Sequence, residues 1–237
     1  MSRTCKWRSN CQPVLVRYLL IFLLTGCICA AQSISIGAIG GGRLTDDVLS
    51  FNTPGANSIT GAPAFRLESR FYDVGPTIEI GLPRGLSVEF DALYHRQGIF
   101  FTFAGTTVYS TYGERDNSWE LPLLLKYKQR WRAVNLFVEA GVTPRTITGR
   151  ITAIDQNDLV ALGPPFTSTY PSSHSPSVGF VAGGGLQFNA GHLRLAPQVR
   201  YTRWFTTPVQ GVDNLVGSFS SNLNQVDILV GISWRLR

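Results

Sequence analysis

The segment 226–237 alternates without a break. Val226, Ile228, Val230, Ile232, Trp234 and Leu236 fall on one face of an extended strand, and Asp227, Leu229, Gly231, Ser233 and Arg235 fall on the other. Side chains of a strand point to opposite faces in turn, so a period of two fits a strand and excludes a helix here. An apolar face that ends in an aromatic, backed by a mostly polar face, suits a strand with hydrocarbon on one side and a polar interior on the other.

The pattern recurs upstream often enough to predict eight strands, each near the ~10 residues of a tilted membrane-crossing strand. The first covers about 33–44, with Ile34, Ile36, Ala38 and Leu44 on one face. The second covers 71–82, where Tyr72, Val74, Pro76, Ile78 and Ile80 oppose Asp73, Thr77 and Glu79. From 86, Leu86, Val88, Phe90, Ala92 and Tyr94 oppose Ser87, Glu89, Asp91 and His95. Trp119, Leu121, Leu123, Leu125 and Tyr127 oppose Glu120, Leu124 and Lys126; Leu136, Val138, Ala140 and Val142 oppose Glu139, Gly141, Thr143 and Arg145. Two more alternating runs, 178–188 and 193–201, precede the last.

The connections alternate in length. Residues 83–85, 129–134 and 189–191 are tight turns carrying Gly, Pro or Asn, whereas about 45–70, 104–118, 154–176 and 206–222 read as long polar loops. With strand direction alternating, Tyr72, Tyr94, Trp119, Phe180 and Tyr201 gather near the long-loop end, and Tyr127, Trp131, Phe188 and Trp234 near the short-turn end. Two aromatic girdles around an apolar band mark a barrel that spans a bilayer. A soluble sandwich or lipocalin-like barrel carries a near-identical period with its apolar face turned inward, so the period alone does not separate the two.

The N-terminal stretch supplies a further cue. Arg3, Lys6, Arg8 and Arg17 precede an apolar core at 19–24 and small residues before Gln32, which predicts a secretory signal over 1–31 and a barrel domain over 32–237. Two processing sites compete: the small-x-small run Cys29-Ala30-Ala31, and a lipobox-like Leu24-Thr25-Gly26-Cys27. All four cysteines (Cys5, Cys11, Cys27 and Cys29) lie in this segment, so the predicted mature chain has no disulfide, thiolate metal site or cysteine nucleophile. The formal charge of +6 is concentrated there too; without it, 17 basic residues face 15 acidic ones that alternate with them, which excludes the clustered basic stripe of a nucleic-acid binder.

Over 33–236 the chain resembles the small eight-stranded outer-membrane barrels of bacteria, the OmpA/OmpX-like and PorT-like group. The most specific element is Gly231-x-x-Trp234-x-Leu236, which is similar to the C-terminal signal read by the barrel assembly machinery; Leu229 stands where that pattern usually has a polar residue. The resemblance implies an all-β, eight-stranded antiparallel up-and-down transmembrane β-barrel in the outer membrane of a Gram-negative-type bacterium, surrounded by outer-membrane lipid. It also implies both termini on the periplasmic side and the long loops outside.

The inward face is then expected to carry Glu79, Glu89, Asp91, Glu120, Glu139 and Asp227 with Lys126, Arg145, Arg194, Arg200 and Arg235. An eight-stranded interior is just wide enough for side chains to fill. Unpaired buried ions cost several kcal/mol, so these charges are expected to form a salt-bridge ladder. Such a ladder either plugs the barrel or, as a porin-like channel, opens a narrow polar path when pairs exchange. Glycines such as those at 40–42 and 183–185 belong to no phosphate-loop motif and are read as making room for large lumen side chains. A lipid-modifying enzyme would need a nucleophile beside a base. The remaining histidines are His95, His174 and His192, and no His-x-Ser pair stands near the C-terminus, as it does in the serine-hydrolase barrels, so no enzyme, cofactor or metal site is expected. Tyr109, Tyr112, Arg115, Phe166, Tyr170 and Phe219 in the long connections suit contact with an extracellular protein or glycan.

Overall fold

The computed structural model describes residues 33–46, 48–52, 64–67, 70–104, 108–131, 134–157, 166–173, 176–206 and 218–236; the expected signal segment with Cys27, and His174, lie outside them. The described residues form strands β1 (Ser33–Arg43), β2 (Val48–Asn52), β3 (Ala64–Leu67), β4 (Tyr72–Gly81), β5 (Leu86–Asp91), β6 (Leu93–Ala104), β7 (Val108–Glu120), β8 (Leu123–Trp131), β9 (Val134–Asn157), β10 (Phe166–Ser173), β11 (Ser177–Ala190), β12 (Leu193–Trp204), β13 (Ser218–Ser221) and β14 (Asn224–Arg235).

These segments make eight staves. β1 is the first and β4 the second; β5 and β6 make the third, β7 and β8 the fourth, β9 the fifth, β10 and β11 the sixth, β12 the seventh and β14 the eighth. Each pairs antiparallel with its neighbours in sequence, and β14 returns to pair with β1 through Ile36↔Trp234 and Arg43↔Asp227. The ladder therefore closes around the eight staves, which removes the sheet edges there; beyond the closed part, among the described residues, β3 pairs only with β6 and β10 only with β9. Away from it, β2 and β13 pair with each other, joining the connections after the first stave and before the eighth.

Which face points where follows from the alternation. Leu123, Val138 and Ile232 are 50%, 61% and 52% exposed, while Asp91, Glu139 and Arg200 on the opposite face are at most 3% exposed. A soluble barrel would show the reverse, with its apolar face inside. All nine girdle aromatics stand on the outward alternation. Tyr94 pairs with Trp119 in register near one end, their rings 5.2 Å apart, and Trp131 and Phe188 both pair with Val134 near the other.

Two of the three tight turns lie where expected, whereas 129–131 belong to β8 and β9 begins at Val134, with 132–133 outside the described residues. Pro83–Gly85 is a single 3-10 turn with Arg84 and Gly85 at positive φ, and Gly191 at φ 63 carries the turn into β12. The long connections differ from expectation. β6 and β7 run on to Ala104 and from Val108, β9 continues for 24 residues to Asn157, and β2, β3, β10 and β13 lie within expected loops. Most of 104–118, residues 154–157 and 166–173 of 154–176, and parts of 45–70 and 206–222 are therefore strand rather than loop. At ~3.3 Å per residue β9 is roughly 80 Å long, well beyond what crossing a bilayer requires. Past the apolar band the outward residues turn polar, as Arg115 and Asn117 do, while Asp116 and Ser118 keep the buried inner face polar, so the alternation of hydropathy that marks a strand in sequence disappears while the backbone ladder continues. The Val108-Tyr-Ser-Thr-Tyr112 run still has the β-branched and aromatic content that favours strand.

Candidate functional site

The interior is filled by polar side chains in three tiers. At the long-connection end, Arg43 at the end of β1 reaches Asp73 on the second stave (Nη2–Oδ1, 3.1 Å), Glu120 on the fourth (Nη2–Oε1, 2.7 Å) and Asp227 on the eighth (Nε–Oδ1, 3.5 Å). Gln225 donates to Asp227 at 2.8 Å and to Glu120 at 3.3 Å. Arg145 donates to Ser118 at 2.8 Å and to Gln97 at 3.2 Å, and its guanidinium lies 5.3 Å from the ring of Trp204, which is itself buried. His95 is buried beside them, its Nδ1 3.2 Å from the Tyr72 carbonyl and 3.5 Å from Asp73.

The middle tier centres on Arg200 of β12. Its Nε donates to Glu139 at 2.7 Å, its Nη1 to Asp91 at 2.6 Å and its Nη2 to Glu89 at 2.8 Å. Lys126 bridges the outer oxygens of the same acids, 2.6 Å from Glu89 and 3.0 Å from Glu139, and sits 4.5 Å over the ring of Phe137. Two cations thus share three carboxylates. The backbone makes room for them at Gly183, which pairs with Glu139 on one side and Arg200 on the other; a Cβ there would stand 3.0 Å from Glu139 Oε1 and 3.2 Å from Arg200 Cγ. Between this tier and the outer one, Ile39, Leu93 and Leu229 form a buried apolar cluster.

At the short-turn end Glu79 accepts from Lys128 at 2.5 Å and from Arg194 at 2.8 Å, and Lys128 also donates to Gln187 at 2.7 Å. A cavity of about 20 Å3 separates this tier from the middle one, bordered by Glu79, Glu89, Lys126 and Arg194 among others. That volume suits about one water molecule.

Ten of the eleven residues expected in the lumen are buried there, and Arg235 is the exception, half-buried near the short-turn mouth. Gln187 is buried on the inward face of the sixth stave, as its alternation implies, and Arg43, Lys128, Gln97, Gln225 and Trp204 belong to the interior beyond the expected set. Their signal is parity: Arg43 falls on the inward alternation with 35 and 39 inside the first predicted strand, and 128 after 126, and 202 and 204 after 200, continue inward rows past the predicted strand ends. The terminal Trp234 and Leu236 lie on the outer wall, with the His192 ring stacked 5.5 Å from Trp234, and Gly231 is half-buried.

Fold and interior define a closed eight-stranded antiparallel barrel with an apolar exterior and an ion-paired core. Solved barrels of similar shape include the outer-membrane protein OprG from Pseudomonas aeruginosa (12% identical, covering 88% of this chain and 97% of that one, TM-score 0.48). They also include the N-terminal barrel domain of OprF from the same organism (10%, 87% and 98%, 0.43) and Neisserial surface protein A (11%, 85% and 96%, 0.40). No family model and no curated protein matches the sequence. The fold assignment stands on this chain's own closed register.

Proposed function

We propose that this chain is a non-enzymatic barrel of the bacterial outer membrane whose lumen is plugged by its ion pairs and whose role is structural or adhesive, exercised at the long-connection end. The observation that carries the plug is Arg200. It meets Asp91 and Glu89, on the stave four positions away in a ring of eight, so one side chain bridges the full width of the lumen. Membrane placement rests on the outward apolar band between two aromatic rows, which in water would be a large exposed apolar surface. The inner face of that band, by contrast, holds charges that need one another.

In this reading the signal segment routes the chain to the envelope, and Gly231, Trp234 and Leu236 present the assembly signal on the last strand. The extended outer walls then hold Tyr, Arg and Phe side chains toward an extracellular protein or glycan. A planar-bilayer recording of the purified barrel tests the plug. A quiet trace is expected. Steady single-channel steps that Glu139→Ala or Arg200→Ala abolishes would establish the narrow porin-like channel instead.

A further inference from the structure

Four arginines stand together on the outer wall just beyond the upper aromatic row. Arg70 precedes the second stave, Arg96 lies on the third, Arg115 on the fourth and Arg150 on the fifth, and all four are exposed. The backbone joins them: Arg70 N donates to Arg96 O at 3.2 Å, Arg115 pairs in register with Gly98, two residues beyond Arg96, and Arg115 also pairs with Arg150 across β7 and β9. Adjacent strands are ~4.8 Å apart, so the row spans roughly 14 Å of the wall. Like charges placed directly opposite each other on a sheet are unfavourable, yet Arg115 faces Arg150. Among the described residues no carboxylate meets any of the four: of the acids nearest in register, Asp73 and Asp116 are buried on the lumen side, and half-buried Glu114 stands on the same inward alternation, where it accepts from Ser172.

The wall is indented here. Gly98 stands on the outward row between Arg96 and Phe100 and leaves a cavity of about 170 Å3 lined by Arg70, Arg96, Gln97, Gly98 and Arg115. Arg115 is held at its edge, its guanidinium 5.7 Å from the ring of Phe100. The height of the cavity selects the ligand. Arg96 is two residues beyond Tyr94, or ~7 Å along the strand, and Tyr94 with Trp119 belongs to the row assigned above to the membrane interface. Guanidinium groups at that level sit beside headgroup phosphates, whose oxygens they bind in a planar, two-pronged geometry.

We propose that Arg70, Arg96, Arg115 and Arg150 form a binding site for the phosphates of an outer-leaflet glycolipid headgroup, a site that deepens and rests on the outer-membrane reading. The bound phosphates neutralise the Arg115–Arg150 repulsion and seat the lipid on one side of the barrel only.

The test is native mass spectrometry of the full barrel released from detergent, titrated with a diphosphoryl glycolipid and with its phosphate-free form. The wild type is expected to retain the diphosphoryl form, and Arg96→Gln with Arg115→Gln to bind it roughly tenfold or more weakly. Arg203→Gln is the control. Arg203 is exposed near Tyr201 of the same aromatic row on another stave and donates to Asn224 at 2.7 Å, so its loss is expected to change little. If the double variant does not fold, Arg150→Gln alone, with a several-fold loss expected, gives the same answer. Equal retention of the phosphate-free lipid, or an equal loss in Arg203→Gln, overturns the site. Displacement by an equal concentration of inorganic phosphate shows a soluble-anion site and overturns the lipid assignment. A wild-type protein that stays soluble without detergent sinks the outer-membrane reading itself; a detergent-requiring barrel without phosphate preference sinks this site alone.

Discussion

Arg200 and Asp91 belong to staves on opposite sides of the barrel, and their side chains meet at 2.6 Å. Arg200 also holds Glu89 and Glu139. Removing it leaves three carboxylates in a buried tier with Lys126 as the remaining cation. Breaking a buried pair from one side costs about 3–5 kcal/mol, because the partner charge stays in place without compensation. Arg200→Gln is therefore expected to lower the equilibrium unfolding free energy in urea and lipid vesicles by that amount, and Arg200→Gln with Asp91→Asn to lose less than the sum of the two single changes. A loss under about 1 kcal/mol for Arg200→Gln would mean that the tier does not carry the fold.

The direction of the wall is tested at Leu123, midway between Trp119 and Tyr127 on the fourth stave and half exposed. Leu123→Arg is expected to cost about 2–4 kcal/mol when the barrel folds into a bilayer, since that is the penalty for a cation on the lipid face at the midplane. In a water-soluble barrel the same change at an exposed site would fall within about 0.5 kcal/mol of zero. Refolding measured in vesicles distinguishes the two.

The staves within the apolar band were legible because each has two different solvents. A period-two pattern encodes that difference, and it fixed the inward row from Glu89 to Arg145 and the outward row from Tyr72 to Trp234. Legibility stopped where the difference stops. Beyond Trp119 the outward residues Asn117 and Arg115 are as polar as the buried inward Ser118 and Asp116, so the segment that holds Tyr112 and Arg115 carries no alternation of hydropathy and reads as loop. Lys128 falls just past the last apolar residue of its run, Tyr127, where polar content reads as a strand end. Arg43 shares the inward alternation of the first strand but follows the glycines 40–42, which leave no apolar side chain on the outward row just before it. Nor does the period tell Arg200 which acids to choose. That choice depends on which staves face one another across the closed ring, and closure is a global property.

Gly183 is the point where wall and core are fitted together. A methyl group there would stand 2.7 Å from the Val199 carbonyl, a backbone atom of the neighbouring strand, and would also press on Glu139 and Arg200, which cannot retreat without giving up their shared contact. Gly183→Ala is expected to lose about 1–3 kcal/mol by overpacking. Gly231→Ala is the matched comparison: a Cβ at 231 would meet only Ala196, at 3.7 Å and beyond, and should leave the unfolding free energy unchanged.

Trp234 separates folding from assembly. Its ring stacks on His192 outside the barrel, and no lumen pair depends on it. Trp234→Ala in purified protein is therefore expected to reach the same heat-modifiable compact form in detergent, at a cost of no more than about 1–2 kcal/mol from lost aromatic contact and interfacial burial. In cells the same substitution should sharply reduce the folded fraction in the outer membrane, because the final strand would no longer present the aromatic that the assembly machinery is proposed to read. Comparing the heat-modifiable fraction in envelopes with that of the refolded protein decides the point. Equal yields in cells would remove Trp234 from the signal, and an equal failure in both settings would make it structural.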